Sequence, residues 1–225
     1  MRRAGRVAGT ASIAVGVLLL VWAFVVWQWS DPFTGLYTRW EQGKLESRYA
    51  ELEASFPGKA RQPAAARSSR PAAKPRPTPA ELRADARRFR RAVGAGEPIG
   101  RIEVPRLGLD MIMVAGTDTE SLKKGPGWDE RTYMPGSGEL VYIAGHRTTY
   151  GAPFSHIDRL RKGDLVTLTV PYGRFRYRVT RWVIVPADDL GRLRSRGSEV
   201  VALQACHPRF SARQRYIVYA RPVRA

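Results

Sequence analysis

The second half of the chain, from Ile99 onward, consists of short apolar or alternating runs separated by turn residues. Such runs are typical of strands, and the Gly- and Pro-rich breaks between them are typical of tight connections. No helical pattern between them is long enough to serve as the crossover of a parallel α/β sheet. The pattern therefore predicts an all-β barrel or sandwich. The predicted strands are residues 100–104, 109–114, 140–144, 165–170, 174–185, 200–205 and 215–223.

The start of the chain has a different pattern, with no charged residue between positions 7 and 27 and with Arg2, Arg3 and Arg6 ahead of that run. About 20 apolar residues cross a bilayer, and basic residues tend to stay on its cytoplasmic side. We therefore predict a cytoplasmic tail over 1–6, a retained single-pass membrane anchor over 7–29, and a location outside the cytoplasm for the rest. A cleaved signal peptide is the alternative, but the run ends in Trp27-Gln28-Trp29 without a small-residue cleavage site.

Three segments connect the predicted anchor to the predicted strands. An apolar stripe at helical spacing predicts a helix over 30–56, which lies on the membrane, self-associates or forms a solvated stalk. Pro, Ala and Arg dominate residues 57–78 and predict a linker. A helix over 79–96 is expected to begin with Thr78, Pro79 and Glu81 as a capping box. The remaining residues, 97–225, form the domain that contains the strands. The stripe consists of Leu36, Trp40, Leu45, Tyr49, Leu52 and Phe56.

The chain is strongly basic, with 38 Lys and Arg against 20 Asp and Glu and a formal net charge of +18. This balance favours an anionic partner such as a membrane surface, an acidic wall polymer or nucleic acid. The predicted location outside the cytoplasm argues against nucleic acid. The other interpretation is an arginine-rich composition without a specific partner.

Cys206 is the only cysteine and follows an apolar, β-branched run, so its thiol is expected near the end of a strand. A lone thiol outside the cytoplasm is either buried and inert or functional. Arg213 and Arg215 stand at the start of the next apolar run, where a guanidinium could serve as a charge partner. Alternation along a strand cannot choose between them, because residues two apart share a face.

Three histidines are candidates for a base that activates this thiol. His146 follows a strand and a glycine, a position at which catalytic groups are often exposed. His207 adjoins Cys206 and should face away from it, because neighbours on a strand point to opposite sides. His156 lies in a helical-turn pattern in which Phe154, Ile157 and Leu160 point inward. His146 is therefore the predicted base.

The sequence offers little for a metal ion or a nucleotide cofactor. One cysteine and three dispersed histidines lack the spacing of a zinc site. Gly125-Pro126-Gly127 lacks the lysine and hydroxyl residue of a phosphate-binding loop. We expect neither a cofactor nor a metal.

The order of His146, Cys206 and Arg215, with the cysteine ending one strand and the arginine opening the next, resembles the sortase family of cysteine transpeptidases. The resemblance runs from about Glu97 to the C-terminus. Cys206-His207-Pro208-Arg209-Phe210-Ser211-Ala212-Arg213 resembles the class E sortases of actinobacteria in particular, and so does the segment from Asp31-Pro32-Phe33 to Glu41. Further similar segments are Ile102-Glu103-Val104-Pro105, Gly125-Pro126-Gly127, Pro135-Gly136, Ala144-Gly145-His146-Arg147-Thr148-Thr149, Pro153-Phe154 and Gly163-Asp164.

The resemblance implies an eight-stranded closed β-barrel that cleaves a C-terminal sorting signal after threonine. Cys206 would form a thioester, His146 would act as general acid and base, and Arg215, which the resemblance favours over Arg213, would stabilise the oxyanion. The protein would then be transferred to an amine of a cell-wall precursor or of another protein. Class E resemblance implies a Leu-Ala-x-Thr-Gly signal. The chain departs from the usual pattern at Ala202 and Ala205, where the family has threonine before the cysteine.

The loop over residues 186–199 joins two predicted strands and ends close to Cys206. We predict that it forms one wall of the groove for the sorting signal; a mobile, solvated loop is the alternative. Two alternatives to a sortase are a different cysteine peptidase of the cell wall and a barrel without catalytic activity that binds anionic wall polymer. The groove candidates are Asp188, Asp189 and Leu190 in the loop, with Leu203 and Ala205 ahead of the cysteine.

Overall fold

The computed structural model describes residues 2–28, 32–56 and 77–223. Its helices are α1 (Arg2–Gln28), α2 (Pro32–Ser55), α3 (Pro79–Ala92) and α4 (Thr119–Lys124). Its strands are β1 (Pro98–Val104), β2 (Leu109–Ala115), β3 (Gly127–Trp128), β4 (Leu140–Ala144), β5 (Leu165–Val170), β6 (Gly173–Pro186), β7 (Val200–His207) and β8 (Gln214–Pro222). The predicted linker lies outside the described residues, apart from its last two positions.

The eight strands close into a barrel in the order β1-β2-β3-β4-β7-β8-β6-β5, and β5 pairs back onto β1. The predicted all-β, eight-stranded closed barrel is confirmed. Most neighbours run antiparallel, whereas β2 pairs with β3 and β4 pairs with β7 in parallel. The strand that sequence patterning missed is β3, which is only two residues long.

The apolar core fills the barrel, because alternate residues of each strand point inward. On β7 the inward residues are Val201, Leu203 and Ala205, all fully buried. The outward residue Ala202 belongs to a second, smaller apolar cluster on the outside of the wall, together with Tyr142. The inward face of β4, β7 and β8 therefore belongs to the barrel core. Their outward face carries the second apolar cluster.

Helix α3 starts with the predicted capping box. The backbone N–H of Glu81 donates to Thr78 Oγ1 at 3.3 Å, and that of Thr78 donates to Glu81 Oε2 at 2.8 Å. The helix ends at Ala92 and places Phe89 against the Phe56 ring, with ring centroids 5.3 Å apart. The buried apolar side chains of Ala86 and Phe89 dock this helix on the barrel.

Helix α2 docks on the outside of the barrel, an arrangement that differs from all three alternatives for this segment. Leu45 and Tyr49 are buried against Ile112 on β2. The Gln42 side chain accepts from the Ile112 N–H at 2.8 Å and donates to the Ile112 carbonyl at 3.0 Å. Because β3 is only two residues long, β2 has an edge without a strand partner, and the Gln42 amide satisfies its backbone groups there.

The membrane anchor predicted over 7–29 is not supported by the structure. Within the described ranges, no helix combines the length and the apolar character that crossing a bilayer requires.

Candidate active site

Cys206 lies one residue before the end of β7 and is half-buried. It shares the outward face of the strand with Gln204 and Ala202, because side chains on a strand alternate between its two faces. The thiol therefore points to the outside of the barrel wall rather than into the core.

His146 reaches the same level from β4. The parallel pairing of β4 and β7 sets Ala144 opposite Gln204, so His146 and Cys206 each lie two residues further on. The Gly145 N–H extends the ladder by donating to the Gln204 carbonyl at 3.0 Å. Position 145 requires glycine, since a Cβ there would lie 2.6 Å from the Phe154 ring. The register of two parallel strands thus brings the imidazole and the thiol to one edge.

Arg215 lies directly opposite Cys206 in the antiparallel pairing of β7 with β8. Its Nη1 donates to the carbonyls of Ala212 at 2.7 Å and Gln214 at 3.1 Å, which fixes the guanidinium at the mouth of the strand. Arg213 is exposed and is not among the residues that line the neighbouring pocket.

His146, Cys206 and Arg215 line one pocket of about 260 Å³ on the outside of the barrel. Its floor comes from outward residues of β4, β7 and β8, among them Tyr142. The loop between β6 and β7 forms a wall of this pocket. The loop residues that line it are Ala187, Asp189, Leu190 and Leu193.

The imidazole of His146 has an unusual environment. Its Nε2 is buried and has no hydrogen-bond partner among the described residues, and its ring lies 5.1 Å from the Tyr150 ring. Burial disfavours the charged imidazolium and lowers the pKa of His146. The ring is therefore neutral near pH 7, so it can accept a proton from the thiol.

The loop that follows His146 is held from two sides. The Phe154 N–H donates to the His146 carbonyl at 3.1 Å, which closes the loop on itself. The Tyr150 N–H donates to Thr34 Oγ1 of α2 at 2.8 Å, and Tyr150 has a left-handed φ of 51°. A non-glycine residue in that region needs support from its surroundings, and α2 provides it.

The structure separates the predicted groove residues into two groups. Asp189 and Leu190 line the pocket, while Asp188 is exposed outside its lining. Leu203 and Ala205 are fully buried on the inward face of β7, and their side chains face the core instead of the pocket. The alternation that directs Cys206 outward directs Leu203 and Ala205 inward, away from any peptide bound in the pocket.

The other two histidines lie away from the pocket. His207 occupies the inward side of β7, where its Nδ1 lies 2.9 Å from Nη1 of Arg147. His156 is exposed, while Phe154, Ile157 and Leu160 of the same segment are buried, as their spacing predicts.

Arg147 is a residue of the site that sequence reasoning missed. Its side chain is 4% exposed and forms an ion pair with Asp158 at 3.1 Å. Its Nη1 also donates to the Cys206 carbonyl at 3.3 Å, so a buried cation supports the backbone of the candidate nucleophile. Alternation could have identified it, because a residue next to the outward His146 must point inward, where an arginine needs partners.

Asp129 and Arg131 form a second polar group that the sequence did not single out. The Arg131 Nη2 donates to Asp129 Oδ2 at 2.6 Å, and both residues line the pocket. Burial raises the pKa of Asp129, but the hydrogen bonds from Arg131 outweigh it and hold that pKa below its usual value. The carboxylate therefore stays charged and keeps Arg131 in place at the pocket wall.

Among the described residues, no group of three or more His, Cys, Asp and Glu side chains could hold a metal ion. The chemistry that the pocket itself offers is nucleophilic attack by a thiol, with a neutral imidazole and a guanidinium on neighbouring strand ends.

The closed β-barrel brings a thiol, an imidazole and a guanidinium to one outer edge, an arrangement suited to thiol-dependent acyl transfer. A family model described as the sortase domain matches residues 102–223, which is more than half of the chain. The chain belongs to the sortase family, a family of cysteine transpeptidases.

Several named relatives support this assignment. Sortase D of Bacillus subtilis is 33% identical over 133 residues, covering 57% of this chain and 65% of that protein. A Clostridium perfringens sortase D5 transpeptidase matches with a TM-score of 0.56 and 25% identity over 63% of this chain and 88% of that one. Sortase E from Streptomyces avermitilis matches with a TM-score of 0.51 and 32% identity over 58% of this chain and 91% of that one.

Sortases of other classes also match. They include sortase A of Bacillus anthracis and a Clostridium perfringens sortase C whose structure contains the C-terminal cell wall sorting motif. The chain spans just under two thirds of the Bacillus subtilis relative and 57% of the Bacillus anthracis one. The matches therefore establish the family without singling out class E.

Proposed function

We propose that this protein is a cysteine transpeptidase that cleaves a sorting signal and transfers the new C-terminus to an amine. The observation that carries the proposal is the convergence of His146, Cys206 and Arg215 on one pocket from three neighbouring strands. Each residue type suits the role that the resemblance implies for it.

The reaction begins with a neutral imidazole, because burial lowers the pKa of His146. His146 accepts the thiol proton as the sulfur of Cys206 attacks the carbonyl of the substrate threonine. The C–N bond breaks, His146 gives that proton to the leaving amine, and a thioester remains. An incoming amine then attacks the thioester carbonyl, and His146 takes its proton. The C–S bond breaks, an amide forms, and His146 returns the proton to the sulfur of Cys206.

Arg215 suits the stabilisation of the oxyanion in both tetrahedral intermediates. A guanidinium keeps its proton near neutral pH, so it serves as a donor rather than as an acid or base. Its position opposite Cys206 supports this role. Stabilising developing charge in a preorganised site is commonly worth several kcal/mol in the barrier.

The proposed substrate is a protein that carries a C-terminal sorting signal, bound against the loop between β6 and β7. Asp189 and Leu190 are the loop residues best placed to contact it, because both line the pocket. The proposed acceptor is an amine of a cell-wall precursor or of another protein. We assign the chain to class E, with a Leu-Ala-x-Thr-Gly signal; its 32% identity to the Streptomyces avermitilis enzyme supports this. Class D is the alternative, given its 33% identity to the Bacillus subtilis protein.

We propose a location at the cell surface on the membrane side of the wall, on the basis of the sequence alone. Arg2, Arg3 and Arg6 precede the uncharged run over 7–27, an order that favours a cytoplasmic N-terminus. Protease added to wall-stripped cells should remove the barrel domain. Protection of that domain would refute this location.

The activity is tested with a library of five-residue sorting signals and several amines, with product followed by mass spectrometry. We expect a new amide after threonine with the wild-type chain and none with Cys206→Ala. His146→Ala should be inactive, whereas His207→Ala should keep most of the activity, since His207 lies on the other face of β7. Turnover by Cys206→Ala at the wild-type rate would eliminate both a sortase and any other cysteine peptidase. No product from either protein would favour a barrel that only binds wall polymer.

A further inference from the structure

A second cleft, of about 130 Å³, opens on the outer face of the barrel and shares the β6–β7 loop with the candidate active site. The loop residues Asp189 and Leu193 line the active-site pocket, while Arg192 and Arg194 line this cleft. The cleft is unusual in its charge, because five arginines and no acidic residue line it. These arginines are Arg181, Arg192, Arg194, Arg196 and Arg221.

Two of these guanidiniums are held by the surrounding structure. Arg181 stacks over the Tyr219 ring, with Cζ 4.1 Å from the ring centroid. Arg192 donates through Nε to Asp189 at 2.9 Å. A stacked or paired guanidinium has already lost much of its rotamer freedom, so less entropy remains to be lost when a ligand binds.

The loop that carries Arg194 and Arg196 is also held in place. The Oγ of Ser195, which stands between them, accepts from the Leu140 N–H at 3.1 Å and donates to Glu139. Ser195 therefore faces β4, and its neighbours on either side line the cleft. Glu199 fixes the end of the loop by accepting from two backbone N–H groups, at 3.0 and 2.9 Å.

Among the residues that the structure describes, most of the positive charge in the cleft has no carboxylate partner. Within residues 2–28, 32–56 and 77–223, Arg192 is the one cleft arginine with a carboxylate within ion-pair distance. Like charges that converge on one small volume repel each other unless an anion or solvent screens them. A bound anion with several charges would relieve that repulsion.

We propose that this cleft binds a phosphate or pyrophosphate group of an anionic cell-envelope component. Arginine matches phosphate oxygens with paired N–H donors, and several guanidiniums around one site favour an anion with more than one charge over a single carboxylate. The volume is well below the ~300–1,000 Å³ of pockets that enclose whole drug-sized molecules, so the site takes a headgroup rather than an entire ligand.

The cleft lies outside the candidate catalytic residues, so phosphate binding is independent of the proposed activity; only its source, a cell-envelope component, rests on the location proposed above. Its test therefore measures binding and not turnover. Full-length protein is titrated with inorganic pyrophosphate by calorimetry, with succinate as a carboxylate comparison. The cleft variant is Arg194→Gln with Arg196→Gln. The matched control is Arg87→Gln with Arg91→Gln, which makes the same charge change on the exposed side of α3.

We expect saturable pyrophosphate binding that the cleft variant weakens by about ten-fold or more, while the control stays within about two-fold of wild type. Equal loss in both variants would overturn the proposal, because it would indicate binding to overall charge. Equal affinity for succinate would overturn the assignment to phosphate. Binding to phosphatidylglycerol vesicles without any binding of free pyrophosphate would likewise overturn it, since the headgroup alone would not be recognised.

Vesicles and a soluble polyphosphate also identify the source of the group once pyrophosphate binding is established. Loss of vesicle binding in the cleft variant alone supports the site with a lipid headgroup as its ligand. The same loss with polyphosphate supports the site with a wall polymer as its ligand.

Discussion

Removing the guanidinium of Arg147 should destabilise the barrel end that carries the candidate nucleophile. In Arg147→Met, the Cys206 carbonyl and His207 lose a donor that lies 3.3 and 2.9 Å away. Hydrogen bonds to charged groups contribute about 1.5–3 kcal/mol each, and methionine refills part of the space. Asp158 is half exposed, so losing its ion pair costs at most about 1 kcal/mol. These contributions sum to about 3–7 kcal/mol, and we expect a loss near the lower end, about 3 kcal/mol, because methionine retains part of the packing.

A loss of that size should lower Tm by about 6–12 °C, given about 2–4 °C per kcal/mol for a chain of this length. Arg159→Met is the matched control, because Arg159 is exposed in the neighbouring turn. Its Tm should stay close to that of wild type. Differential scanning calorimetry at pH 7.5 measures both variants.

Turnover separates a positioning role from a purely structural one. Below its Tm, Arg147→Met should lower kcat more than it raises KM, because the Cys206 backbone is displaced while the pocket walls remain. Arg147→Lys keeps the positive charge but loses the paired N–H donors of the guanidinium. Its Tm and its kcat should therefore lie between those of wild type and Arg147→Met. An Arg147→Met protein that melts within about 2 °C of wild type and keeps full kcat would refute this reasoning.

Three further predictions follow from the site and its support. Because burial lowers the pKa of His146, the unfolded state binds more protons than the folded state, and the free energy of unfolding should fall as pH drops below about 6.5. Chemical denaturation should show a smaller fall in His146→Gln than in wild type. A fall of equal size in the variant would contradict this. Arg215→Lys should reduce kcat by about ten-fold or more in a peptide assay, while Arg213→Gln stays near wild type; the opposite ranking would exclude Arg215 as the oxyanion donor. Gln42→Ala should cost about 1–3 kcal/mol and speed hydrogen exchange at Ile112, so unchanged protection there would count against the edge-covering role.

Local patterning predicted the strands because each has enough apolar residues to show its period. It missed β3, since two residues show no period. It also gave no sign that β4 and β7 pair in parallel, because a contact between residues about sixty positions apart has no local signature. That pairing is what brings His146 level with Cys206.

The predicted groove residues on β7 show that the alternation of side chains along a strand was not applied to every residue of that strand. Alternation along β7 correctly turned His207 away from the thiol. The same rule turns Ala205 and Leu203 into the core, yet resemblance favoured them as groove residues. Docking of α2 could not be predicted, because its stripe is equally compatible with a membrane surface, another helix or the barrel edge that Gln42 covers.

The attachment of α2 changes where the folding unit of this protein begins. The family match starts at residue 102, yet Gln42 completes the hydrogen bonding of β2, and Leu45 and Tyr49 cover its outer surface. A truncated chain that starts at the family boundary would leave an open, apolar strand edge, which is a template for pairing with another copy. Recombinant protein for crystallisation or assay should therefore start at or before Pro32, and a version that starts at Pro98 should aggregate even though it contains every strand of the barrel.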